Sequence, residues 1–117
     1  MSEIIDDRQL KEIFRKEAQG LIDQMRKDLS ILREKQEPDH HNISADNRDI
    51  PAILNRLFMN AHTIKSNSGI MGYEDLRQIA ANLEEIFKIA RDTGDIMSTA
   101  AISRLSESVE ACWKLIN

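Results

Sequence analysis

Apolar residues recur every three to four positions along four separate stretches of this chain, and that period commits it to amphipathic helices. The first stretch spans about 7–35, with Leu10, Phe14, Ala18, Leu21, Met25, Leu29 and Leu32 in its stripe and Gly20 inside it. Asp6 and Asp7 can cap its start and suit the positive end of the helix dipole. The second spans about 49–70, opened by Asp49 with Pro51 in the first turn, where its missing N–H costs nothing. Its stripe is Ile50, Ile53, Leu54, Leu57, Ala61, Ile64, Ser68 and Met71, and Gly69 and Gly72 close it. The third spans about 74–93, with Glu74 and Asp75 in its first turn, a stripe of Leu76, Ile79, Leu83, Ile86 and Ala90, and Gly94 at its end. The fourth spans about 98–116, capped by Ser98 or Thr99, with Ile102, Leu105, Val109, Cys112 and Ile116 inward. Short links at Gly72 and Gly94 and a seven-residue spacing in each stripe predict an all-α fold. The expected arrangement is one domain over 1–117, an antiparallel up-down four-helix bundle.

Composition agrees with the period. Only 4% of residues are aromatic, and the chain holds 4 Gly and 2 Pro, too few for the strands and turns of a sheet protein. The exception to the helical pattern is about 36–48, where Pro38, His40, His41, Asn42, Ser44, Asp46 and Asn47 read as a mobile loop.

Charge and cysteine usage bound the partners and the compartment. The net charge of −4 argues against nucleic acid and against an anionic membrane surface, both of which need a basic face. No stretch is apolar and long enough to span a bilayer, and the opening residues carry no basic-then-apolar leader pattern. Cys112 is the single cysteine and has no internal partner, which fits a reducing compartment, so a cytoplasmic location is expected.

One polar residue in the second stretch stands apart. At 100° per residue, His62 falls about 120° from the centre of its stripe, on the flank that faces water. Its neighbours one turn away are Phe58, Met59, Lys65 and Ser66, with Gly69 a further turn along. Neutral imidazole is nucleophilic near neutral pH, and one ring nitrogen can attack a phosphoryl group when the other is held as N–H by an acceptor. Lys65 would then stand near the anionic product. The chain has no Gly-rich phosphate loop followed by Lys-Ser or Lys-Thr, so it carries no recognisable ATP site of that kind.

The run Ala61-His62-Thr63-Ile64-Lys65-Ser66-Asn67-Ser68-Gly69-Ile70-Met71-Gly72, with Leu76 and Leu83-Glu84 in the next helix, resembles the signature of histidine phosphotransfer domains. That signature reads His, any residue, an apolar residue, Lys, Gly, any residue, then Ser or Ala, with a further Gly beyond. Phe14-Arg15-Lys16-Glu17-Ala18, Leu54-Asn55-Arg56-Leu57-Phe58, Met71-Gly72-Tyr73 and Ala90-Arg91 before Gly94-Asp95 look most like the N-terminal phosphotransfer domain of chemotaxis-type (CheA-like) histidine kinases. The resemblance implies a phosphoryl carrier in two-component signalling. His62 would accept the group on its outer nitrogen, Lys65 would interact with it, and Glu84 would hold the other nitrogen. Met59, Ser66 and Gly69 would form part of the docking surface.

On the same resemblance the partners are a histidine kinase catalytic domain and a response-regulator receiver domain. The domain binds no cofactor or metal itself: ATP and Mg²⁺ belong to its partners. It is not an enzyme alone, and a monomer is expected. The subtype resemblance favours a piece of a larger kinase over a free-standing carrier, because chemotaxis kinases place this domain first and the sequence starts at Met1. The chain departs from the pattern in three ways. Ser66 stands where the family has Gly, Ala81 stands where many chemotaxis kinases have a second histidine, and the 36–48 loop is long.

Three other readings compete. His40 and His41 can be imagined as metal ligands, but adjacent loop histidines without a Cys or an i,i+4 partner make a poor site. A helical adaptor would keep the four stripes and be indifferent to His62. A degenerate phosphotransfer fold would have lost phosphorylation, a reading that Ser66 leaves open and that intact His62 and Lys65 oppose.

Overall fold

The computed structural model describes residues 6–36, 49–94 and 97–117, and among them it is wholly helical, with no strand. The helices are α1 (Asp7–Gln36), α2 (Asp49–Met71), α3 (Glu74–Thr93) and α4 (Thr99–Ile116). The loop expected at about 36–48, with His40 and His41, lies outside the described residues.

Local chemistry sets the helix ends. Asp6 caps α1 reciprocally: its Oδ1 accepts from the Gln9 amide at 2.8 Å, while the Gln9 side chain accepts from the Asp6 amide at 3.1 Å. Ser98 caps α4 by accepting from the Ala101 amide at 3.1 Å. Asp49, expected as a cap, is instead the first helical residue of α2. That helix ends at Gly72, whose φ of 82° is open to a residue without a Cβ. The Gly72 amide bonds back to the Gly69 carbonyl and the Tyr73 amide to the Ser68 carbonyl, which satisfies the last carbonyls and turns the chain into α3.

Each helix packs against two others: α1 against α2 and α4, and α3 against α2 and α4. Cross-helix bonds give the register. Arg26 on α1 meets Glu110 on α4, while Gln19 meets Asn117. Asp28 on α1 meets Arg56 on α2, while Glu17 meets Asn67. Asn55 on α2 meets Arg91 on α3, while Lys65 meets Glu84. On each of these three pairs, residue numbers rise on one helix as they fall on the other.

The core between them includes Ile22, Leu29, Leu57, Ile64, Leu83, Phe87, Ile102 and Val109, all essentially inaccessible. Each such side chain contributes on the order of 1.5–3 kcal/mol through removal from water. Two of the expected stripe residues are corrected: Leu10 is 43% exposed and Ile86 is 43% exposed. Leu10 sits on the first turns of α1, which extend past the end of α4, because Asn117 reaches α1 only at Arg15 and Gln19. Ile86 yields the inward place to its neighbour Phe87, as Leu21 yields to Ile22 and Ile79 to Ala80. Adjacent apolar residues fit a 3.6-residue period equally well, and only the neighbouring helices decide between them.

A buried acid also enters this core. Asp28 is fully buried and accepts two bonds from Arg56, Nε to Oδ2 at 2.8 Å and Nη2 to Oδ1 at 2.7 Å. Arg56 and Asn67 therefore tie α2 to α1 on both sides of His62 along the helix axis.

Candidate functional site

α2 turns one face to α1 and the opposite flank to α3, and His62 stands on that second flank. Its side chain is 54% exposed, in keeping with its angle from the stripe. The imidazole is held from two directions. On α3, Glu84 meets Nδ1 through Oε2 in a short hydrogen bond. On α2 itself, the Phe58 ring lies nearly parallel to the imidazole, with centroids 6.2 Å apart and an interplanar angle of 21°.

Glu84 is the hub. Only 15% of its side chain is exposed, and its second oxygen, Oε1, accepts from Lys65 Nζ at 2.5 Å. Burial pushes the Glu84 carboxyl up, but the bonds from Lys65 and His62, with their charges, outweigh it and hold the group below the usual carboxylate range. The group is therefore ionised near neutral pH, and an ionised carboxylate only accepts. In the neutral imidazole the proton must then sit on Nδ1, which leaves the lone pair on Nε2. A neutral imidazole fixed in this way is a nucleophile aimed away from α3.

The residues singled out from sequence fall as follows. His62, Lys65 and Glu84 form one connected group across α2 and α3. Lys65 is engaged by Glu84 rather than standing free beside Nε2. An ammonium has three donors, so it can keep that partner and still offer others to an anion. Met59 is 56% exposed, and Ser66 and Gly69 are exposed on the same side of α2. The Arg77 stem of α3 lies along Gly69: a Cβ there would meet Arg77 Cδ at 3.4 Å. Ala81 of α3 is half-buried.

Sequence reasoning named Phe58 as a neighbour of His62 and quoted Arg91 among the residues that carry the resemblance, but gave neither a role in the site. The Arg91 guanidinium lies over the Phe58 ring, Cζ 4.3 Å from the centroid. The i,i+4 spacing of Phe58 and His62 was the available signal for the first contact. Nothing in the sequence marked the second.

Among the described residues no three His, Cys, Asp or Glu side chains gather as metal ligands would, and no helix is long and apolar enough to cross a membrane. A family model for the Hpt domain matches residues 9–114. The chain belongs to the Hpt domain family. The match takes in parts of all four helices and the whole His62, Lys65 and Glu84 group. No curated protein and no solved structure matches the chain. Hpt domains have a phosphotransfer role in two-component signalling, as phosphocarrier modules rather than catalysts, and they interact with kinases and receiver domains in phosphorelays.

Proposed function

We propose that this Hpt domain carries a phosphoryl group on Nε2 of His62, as the phosphotransfer segment of a chemotaxis-type histidine kinase. The observation that carries the reading is the bond between Glu84 and Nδ1, which frees Nε2 on an exposed face. In the first step Nε2 attacks the γ-phosphorus of ATP held by a kinase domain, the N–P bond forms, and ADP leaves. In the second a receiver aspartate attacks the same phosphorus, the N–P bond breaks, and the imidazole regains its lone pair. Glu84 keeps the proton on Nδ1 throughout and offsets the positive charge that the ring takes on when Nε2 is bonded to phosphorus. Lys65 turns a free N–H towards the phosphoryl oxygens. ATP and Mg²⁺ sit on the partner domains.

Met59, Ser66 and Gly69 form the part of the docking face nearest the ring, and the Ser66 hydroxyl can donate to a phosphoryl oxygen. The opposed register of the cross-helix bonds supports an antiparallel up-down bundle, and we take the chain as one such domain, monomeric and cytoplasmic. The test is a transfer assay with ATP, Mg²⁺ and the catalytic core of a chemotaxis-type kinase, with His62→Gln alongside. Acid-labile, base-stable label on the wild type that is absent from the variant and passes to a receiver domain is expected. Label that survives His62→Gln would refute the assignment.

A further inference from the structure

A surface histidine on a helix has a soft χ2, because its terminal torsion has broad minima. One hydrogen bond does not remove that freedom, since the ring can still swing about the line from Nδ1 to its acceptor. His62 has Glu84 on Nδ1 and needs a second contact to fix the direction of Nε2. Helical side chains lean towards the preceding turn, which brings the imidazole towards Phe58, four residues earlier. The two ring planes meet at 21° with centroids 6.2 Å apart, within the range where aromatic pairs attract.

Phe58 is half-buried and packs against the core, and Arg91 of α3 adds a second hold on its ring. Its guanidinium covers the Phe58 ring at 4.3 Å, and its edge is anchored by Nη1 to Asn55 Oδ1 at 3.2 Å and Nε to Asp92 Oδ1 at 3.0 Å. Asn55 lies one turn before Phe58 on α2, so Arg91 spans from α3 and grips the helix on which the histidine stands. A cation over the ring face adds an attraction that a flexible aliphatic cover would lack. The contacts therefore run from α3 through Arg91 and Phe58 to the imidazole, and return to α3 through Glu84.

We infer that Phe58, clamped by Arg91, is a positioning residue that fixes the plane of the His62 ring and so the direction in which Nε2 meets a phosphoryl donor. This rests on the phosphocarrier reading of His62, and the experiment has one arm that does not. In the first arm, the orientation of the His62 ring is followed by NMR in the unphosphorylated protein, from the cross-relaxation of its ring protons with neighbours on α2 and α3, with assignments made against His62→Gln. In the second, phosphorylation of His62 by phosphoramidate, a donor too small to need a docking face, is timed.

Phe58→Leu keeps apolar bulk but loses the ring. It is expected to change the contacts of the His62 ring protons and slow phosphoramidate labelling about five-fold, the rate equivalent of one aromatic pair. Phe58→Tyr restores both. Arg91→Gln, which leaves Phe58 in place, shifts both in the same direction by less. Unchanged ring-proton contacts in Phe58→Leu would overturn the inference. So would an unchanged phosphoramidate rate, or a defect seen only as a raised KM for a receiver domain. Wild-type protein that takes no phosphate from any donor would sink the carrier reading, and the ring-proton contacts would still decide whether Phe58 orients the ring.

Discussion

Arg56→Met isolates what the buried acid of the α1–α2 interface does. Asp28 is fully buried, and its ionic partner is Arg56, which makes two charge-assisted bonds to it; Gln24 adds a longer one at 3.3 Å. Methionine keeps much of the arginine stem over the carboxylate and removes the charge. Breaking a fully buried pair from one side costs about 3–5 kcal/mol. Here the carboxylate is wholly buried but the arginine side chain is 46% exposed, and Gln24 remains as a donor, which puts the cost at the lower end.

The expected loss is thus about 3 kcal/mol at pH 7. A folded domain of this size has about 5–15 kcal/mol, so enough remains to measure. Urea unfolding at pH 7, followed by fluorescence of Trp113, the chain's single tryptophan, reads this directly. Asp28→Leu combined with Arg56→Met is expected to recover most of the loss, since replacing an ion pair of this kind by apolar groups is close to neutral. A loss under about 1 kcal/mol would refute the account, because it would mean that water reaches the carboxylate.

Other outcomes are expected. Glu84→Gln removes a charge-assisted bond worth about 1.5–3 kcal/mol and slows transfer through His62 by about 10- to 100-fold, measured as the rate of label appearance. Because the Glu84 carboxyl is held below its ordinary 4.5, its stabilisation is present above that pH and lost as pH falls below it; the stability gap between wild type and Glu84→Gln should close there, and a gap that widens would contradict the assignment. Cys112 is buried, and desolvation pushes its thiol up to about 11, so thiol reagents should label it only as fast as the domain opens; rapid native-state labelling would refute the packing of α4. Gly72→Ala places a Cβ at a φ of 82° and should cost on the order of 1 kcal/mol by urea unfolding. Arg26→Ala removes the cation 4.3 Å over Trp113 and the paired bonds to Glu110, and should cost about 1 kcal/mol and shift the tryptophan emission.

The sequence by itself determined the features set within a few residues of chain. The four periods, the reversals at Gly72 and Gly94 and the water-facing flank of His62 all follow from spacing and side-chain chemistry; the capping sites at the starts of α1 and α4 follow too, though only the structure chose Asp6 over Asp7 and Ser98 over Thr99. Resemblance to a known signature supplied Glu84, which no local rule distinguishes from Glu85 beside it. Tertiary structure decided the rest, because it depends on which helix lies alongside. Packing chose Ile22 over Leu21 and Phe87 over Ile86, and it left Leu10 uncovered where α1 outruns α4. It buried Asp28 against a partner 28 residues away, and it brought Glu84 to His62 across 22 residues. It also laid Arg91 over Phe58 beside the imidazole. A helical period gives the angle at which a residue leaves its own axis; the residue it meets at that angle belongs to another segment, and only the fold sets its place.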